Sequence, residues 1–125
     1  MNIPVDLKYT NDHEWVRADG DTMTIGISDF AQGELGDIIF IEFPEVGDTF
    51  SAGDAFGTVE AVKTVADLLM PLAGDIVAVN SDLENGPEKV NSDPYGAGWL
   101  VKVKVRDIGD FDALLDADAY KEMIA

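Results

Sequence analysis

The dipeptide Gly-Asp occurs six times in this chain, starting at residues 20, 36, 47, 53, 74 and 109. Glycine reaches backbone angles closed to other residues and aspartate favours turns, so each pair divides the chain into short segments. Those segments are rich in β-branched and aromatic residues: TMTIGI (22–27), DIIFIEF (37–43), AFGTVEA (55–61), DIVAVN (75–80) and WLVKVKV (99–105). In the last, Val101, Val103 and Val105 alternate with Lys102, Lys104 and Arg106. That is a strand with one buried and one solvated face, and the basic trio belongs to the solvated one. Asp19-Gly20-Asp21 predicts a hairpin turn.

Two helical stretches interrupt the β pattern. Ser28 is placed to cap SDFAQGEL, with Phe30 and Leu35 facing inward and Gly36 ending the helix. In DFDALLDADAYKEMIA, residues Phe111, Leu114, Leu115, Ala119 and Met123 form one stripe, which predicts a C-terminal helix over about 110–124. The chain also contains an echo: Pro44-Glu45-Val46-Gly47-Asp48 returns 27 residues later as Pro71-Leu72-Ala73-Gly74-Asp75. Two similar halves in a small sandwich would produce such a repeat.

With 125 residues the chain fits one domain, 1–125, and its 46% apolar content is that of a globular protein. The net charge of −17 opposes binding to nucleic acid or anionic membranes and favours docking on basic surfaces. Without cysteine there are neither disulfides nor thiolate zinc sites, so any sulfur chemistry must come from an attached group. No metal-ligand spacing, phosphate-cradling loop or nucleophile elbow is present. The start MNIPVDLKYTNDHEW lacks the features of a signal or transit peptide, and no apolar run spans a bilayer. A cytoplasmic protein is expected, or a mitochondrial matrix protein whose presequence is missing.

Between Arg17 and Lys89 stand fifteen acidic residues and a single basic one, Lys63. Around it, in TVEAVKTVADLL, the period-two alternation changes phase: Val59 and Ala61 share a face, yet Val62 and Val65 come next. A phase change marks a bulge or a turn. A turn at Val62-Lys63-Thr64 makes Thr58–Ala61 and Val65–Leu69 facing strands and puts Lys63 at the tip. An exposed lysine there can simply protect a strand from edge pairing. A Schiff-base role needs a desolvated amine, which a tip does not supply. The remaining chemistry is covalent modification.

The segments YTNDHEWV (9–16), TIGISDFAQGELGDIIFIEFPEVGD (24–48), GTVEAVKTVADLLMPLAGDIVAVN (57–80) and VNSDPYGAGWLVKVKV (90–105) settle the direction. In this order, over nearly the whole chain, they resemble the H-protein family of the glycine cleavage system, a family of lipoyl carriers. The resemblance implies a mainly β barrel-sandwich hybrid, and an amide-linked lipoate on Lys63 with Glu60 three residues before it. It also implies that Gly47 and Gly74 help set the hairpin shown to the lipoate-attaching enzyme, although both equally suit ordinary turns. Biotin carriers of similar architecture usually flank the lysine with methionines; Val62 and Thr64 stand here instead. Ala61 and Ala66 occupy positions where the family often has serine, so hydrogen bonds from those serines are absent.

By the same resemblance the arm visits three enzymes. Glycine decarboxylase (P protein) loads an aminomethyl group, a tetrahydrofolate-dependent aminomethyltransferase (T protein) removes the carbon, and dihydrolipoyl dehydrogenase (L protein) restores the disulfide. The chain is then a carrier and not an enzyme. The loaded arm ends in an ammonium and folds back into a cleft. An exposed ion pair contributes only about 0–1 kcal/mol, whereas partial burial raises the Coulomb attraction to about 4 kcal/mol before desolvation. Apolar cover and at least one acid are therefore needed. The candidates by family position are Glu14, then Asp67, then Asp12, which replaces a small hydroxyl residue of many relatives. His13, the only histidine, is read as structural or docking, Trp15 as core, and the loop Asn91, Asp93, Pro94, Tyr95, Gly96 and Gly98 as a surface connection able to wall the cleft. Two other readings are a relay that donates lipoate to other proteins and an unmodified adaptor binding through its acidic surface.

Overall fold

The computed structural model describes every residue from Met1 to Ala125. Two antiparallel sheets face each other. The larger contains β1 (Lys8–Tyr9), β2 (Glu14–Asp19), β3 (Thr22–Ile27), β9 (Val101–Val105), β8 (Gly74–Val79) and β5 (Thr49–Phe50), side by side in that order. The smaller contains β4 (Ile38–Glu42), β6 (Ala55–Ala61) and β7 (Val65–Leu69). This is the mainly β, barrel-sandwich arrangement expected from the segment pattern. The five expected strands appear with ends shifted by a residue or two, while β1 and β5, two residues each, are too short to show a period.

The alternation of β9 explains the packing. Val101, Val103 and Val105 are buried between the sheets with Val16, Ile25 and Ile76 of the larger sheet and Ile41, Val59 and Leu68 of the smaller. Lys102 and Lys104 point the other way, away from the smaller sheet, and share that outer face with Arg17. Trp15 lies on the same outer face, pressed over Gly26, where a Cβ would come within 2.6 Å of the indole. A second buried cluster of Ile3, Leu7, Tyr9, Trp15, Ala117 and Tyr120 covers it.

The five-residue echo has a structural counterpart. The two copies lie against each other: Thr49 pairs with Asp75, and Ile76 N–H donates to Asp48 at 2.8 Å. Exchanging the copies carries one of these pairs onto the other. The same offset carries Ile38–Glu42 (β4) onto Val65–Leu69 (β7), the two strands that flank β6. Lys63 falls in the link between the halves.

Helix α1 (Asp29–Leu35) follows the sequence reading: the Ser28 hydroxyl accepts from Ala31 N–H at 3.1 Å, and Gly36 ends it at φ +80°, a conformation glycine tolerates. The C-terminal helix is shorter than expected. Instead of one element over about 110–124 there are α3 (Gly109–Asp112) and α4 (Ala117–Ile124), preceded in the chain by the one-turn α2 (Lys89–Ser92). The break arises because Leu115 exchanges backbone hydrogen bonds with Tyr9, at 2.8 and 2.9 Å, and those groups cannot also serve a helix. Asp116 then caps α4 through Ala119 N–H. The stripe shifts with the break, so Ala117 and Tyr120 are buried while Met123 is exposed.

Candidate functional site

Strands β6 and β7 run antiparallel with Glu60 opposite Val65, Val59 opposite Ala66 and Thr58 opposite Asp67. The chain reverses through Val62, Lys63 and Thr64, closed by Ala61 N–H donating to Thr64 at 2.8 Å. Lys63 is exposed at this reversal. The tip is braced from one side, where Val62 N–H donates to Asp37 O at 3.0 Å. The Lys63 side chain lies over Gly36, so close that a methyl there would sit 3.5 Å from Cε. Sequence reasoning assigned Gly36 only to the end of α1.

Gly47 and Gly74 lie elsewhere. Gly47, at φ +98° in the turn before β5, donates its N–H to Ile76 O, and Gly74, the first residue of β8, pairs with Phe50 and Val105 in the six-stranded sheet. Gly74 is needed for close packing, since a Cβ would meet Lys104 O at 2.6 Å. Neither makes a hydrogen bond to the lysine turn.

Beside the hairpin is a cleft of about 330 Å³. Val59, Ala66, Asp67 and Leu68 form one wall, Phe30, Ala31, Glu34 and Leu35 of α1 another, and Asp12, His13, Glu14 and Ile27 the floor and end. Lys63 itself does not line the cleft; its side chain lies over Gly36, the residue that follows Leu35 of the α1 wall. Three acids singled out in the sequence, Asp12, Glu14 and Asp67, meet in this one cleft, together with Glu34; no lysine or arginine lines it. Val59, Leu68, Ile27 and Leu35 supply apolar cover.

Glu14 is the buried member, 2% exposed. Its carboxyl accepts from Thr10 Oγ1–H at 3.0 Å and from Leu69 N–H at 3.1 Å. Burial pushes its pKa up to about 8; the Leu69 and Thr10 hydrogen bonds pull in the opposite direction and Asp12 adds to the rise. The group sits in a knot built by one threonine, whose hydroxyl also accepts from the N–H groups of Asp12 and Glu14. That knot forces His13 into the left-handed region at φ +68°, a strain the surrounding hydrogen bonds hold.

His13 connects the cleft to the C-terminus. Its Nδ1 lies 2.9 Å from Tyr120 Oη, which is 2.7 Å from the Ser28 hydroxyl that caps α1. Burial raises the Tyr120 pKa, against the Ser28 hydrogen bond. Trp15 is core, fully buried, with Nε1–H donating to Pro94 O at 2.9 Å. The loop 91–98 does not wall the cleft. Instead it anchors α1 from behind: Asn91 donates to Gln32 Oε1 and Gly36 O and accepts from Ile38 N–H. Tyr95 accepts from Asp29 N–H.

An exposed lysine at a strand reversal of a barrel-sandwich hybrid, beside an acid-lined cleft, is a carrier-domain architecture. The profile described as "Glycine cleavage H-protein" matches residues 7–125. Curated glycine cleavage system H proteins of Bacteroides thetaiotaomicron and Chlorobium phaeovibrioides are 55% and 58% identical to this chain, over 99% of it and 98% of each relative. The crystal structure of a glycine cleavage system H protein from Mycobacterium marinum superposes with a TM-score of 0.89 at 44% identity, covering 98% of both chains. The chain belongs to the glycine cleavage H-protein family. No helix is long and apolar enough to cross a membrane.

Proposed function

We propose that the chain is the lipoyl-bearing carrier of a glycine cleavage system, with lipoate in amide linkage on Lys63, and that it moves an aminomethyl group from glycine decarboxylase to the tetrahydrofolate-dependent aminomethyltransferase. The observation that carries this is Lys63 standing exposed at the β6–β7 reversal, on the hairpin whose strands form one wall of the acid-lined cleft. When attached, lipoate supplies a disulfide that accepts the aminomethyl group and is regenerated by dihydrolipoyl dehydrogenase. The cleft suits such a group: a hydrocarbon chain matches its apolar walls, and a terminal ammonium matches its carboxyls.

The protein's residues then divide the work. Lys63 tethers, which holds the cargo at an effective concentration near the millimolar range once the body has docked. Ile27, Val59, Ala66 and Leu68 keep water from the cargo. Glu14, held by Leu69 and Thr10, faces the ammonium at the buried end, and Asp12 and Asp67 add negative potential toward the mouth. An arriving cation favours the ionised form of Glu14, so Glu14 releases a proton as the cargo enters. The body contributes placement and shielding and is not itself the catalyst.

Intact mass of protein from a host with lipoate-attaching enzymes tests the reading. A lipoyl increment on the wild type, absent from Lys63→Ala, is expected, together with glycine-dependent carbon dioxide exchange by purified decarboxylase. An unmodified wild type from a competent host would favour an adaptor. A lipoylated chain inert with the decarboxylase would leave a lipoate relay.

A further inference from the structure

The cleft has no lysine or arginine in its lining, so no such cation keeps its buried carboxyl charged while the cleft is empty. The titratable groups around Glu14 are Asp12 and His13 from its own turn, Asp67 from β7, Glu34 from α1 and Tyr120 from α4. The three acids among them oppose its ionisation. Two hydrogen bonds to the Glu14 carboxyl favour it, from Leu69 N–H at 3.1 Å and from the Thr10 hydroxyl at 3.0 Å. The first comes from the main chain and is indifferent to the side chain at 69. The second depends on one buried threonine.

The Thr10 hydroxyl has no choice in how it makes this contact. A hydroxyl offers one proton and two lone pairs. Asp12 N–H and Glu14 N–H, each 3.2 Å away, take up the lone pairs, so the proton is committed to Glu14 Oε1. A neutral Glu14 cannot turn the contact round, because Thr10 has no lone pair left to receive its proton. Thr10 on Oε1 and Leu69 on Oε2 thus hold both oxygens of a carboxyl that lines the cleft.

We propose that Thr10 is a positioning residue for the cargo: its committed hydroxyl lets Glu14 ionise among other acids, and so sets how firmly the cleft holds an aminomethyl ammonium. This rests on the carrier reading, in which that ammonium meets Glu14. The balance is one proton. The carboxyl O–H bond breaks, the proton passes to water as the ammonium enters, and carboxylate and ammonium remain as a pair. Burial holds the Glu14 pKa up at about 8, and the Thr10 hydrogen bond pulls against that rise. Without the hydroxyl, Glu14 gives up its proton less readily, and the same cargo is held more weakly at the same pH. A threonine that merely stiffened the turn would leave the pH dependence where it is.

The test compares wild type with Thr10→Val, which keeps the shape and drops the hydroxyl, and with Thr10→Ser, which keeps the hydroxyl. Carbon NMR of isotope-labelled glutamate carboxyls first follows Glu14 through pH in the full-length unmodified protein; its signal is the one missing from Glu14→Gln. The Glu14 midpoint is expected to rise by about one pH unit in Thr10→Val and to stay in place in Thr10→Ser. Lipoylated protein is then loaded from glycine by purified decarboxylase, and loss of the aminomethyl group is followed by intact mass over the same pH range. In Thr10→Val the curve of lifetime against pH is expected to move up by the same unit, about a tenfold loss at a fixed pH below the midpoint. Urea unfolding checks each variant, and Thr10→Ala takes the place of valine if that protein does not fold. An unmoved Glu14 midpoint in Thr10→Val overturns the proposal. So does an equal rise in Thr10→Ser, which would trace the shift to packing, or a lifetime curve that ignores a shifted midpoint. Wild type that takes no lipoyl group from a competent host refutes the carrier reading, and the cargo role with it, whatever the titration shows.

Discussion

Replacing Glu14 with glutamine separates the cost of burying this carboxyl from everything else in the fold. The pKa of Glu14 is raised to about 8, from a model-peptide value of 4.5, chiefly by burial. At pH below 4.5 the native and unfolded chains both hold its proton. Between there and pH 8 the native state keeps a proton that the unfolded state has lost. Unfolding free energy therefore falls as pH rises, by about 1.4 kcal/mol per unit, and levels off above the native value. From pH 5.5 to 7.5 this one group removes roughly 2–3 kcal/mol of stability. Glutamine retains an oxygen for Leu69 N–H and has no proton to lose, while its NH2 cannot accept from the Thr10 hydroxyl, a cost independent of pH. Between pH 5.5 and 7.5 Glu14→Gln is expected to gain roughly 2–3 kcal/mol on the wild type, added to a constant offset that does not change with pH. Urea unfolding of both proteins at several pH values measures it, and subtracting the two curves cancels the other acids. Parallel curves would refute the argument. In the lipoylated, aminomethyl-loaded protein the same change is expected to shorten the lifetime of the cargo while leaving lipoylation intact.

Two further outcomes follow from the geometry. Gly74→Ala forces a methyl against Lys104 O and the Val103 side chain at the β8–β9 pairing, and should destabilise by about 1–3 kcal/mol in thermal unfolding. Tyr120→Phe removes the hydroxyl shared by His13 and Ser28 and should cost about 1–3 kcal/mol. Its loaded form should also lose cargo faster, since the α1 wall is capped through Ser28; an unchanged lifetime would confine Tyr120 to stability.

Much of this was readable before any coordinates. The Val-Lys alternation of β9, the Ser28 cap and the phase break at Lys63 are local signals, and each appears where its residues predict it. The cleft acids came from family resemblance, because Asp12 and Glu14 are far in sequence from Asp67 and no local pattern joins them. What stayed hidden depends on long-range pairing. Leu115 has helical neighbours on both sides, and only its exchange with Tyr9 breaks the helix. Loop 91–98 carries turn residues that announce an exposed connection, yet Asn91 serves as the rear anchor of α1. Thr10 gave no signal at all, although its hydroxyl organises the whole Glu14 turn.

Arg17, Lys102 and Lys104 share the outer face of the six-stranded sheet with Asp19 and Asp75, which leaves that face close to neutral on an otherwise strongly acidic body. An uneven spread of charge feels a torque in an external field, so a cationic surface would turn the more acidic sides of the molecule toward itself before contact. Fewer collisions would then arrive with that sheet face forward.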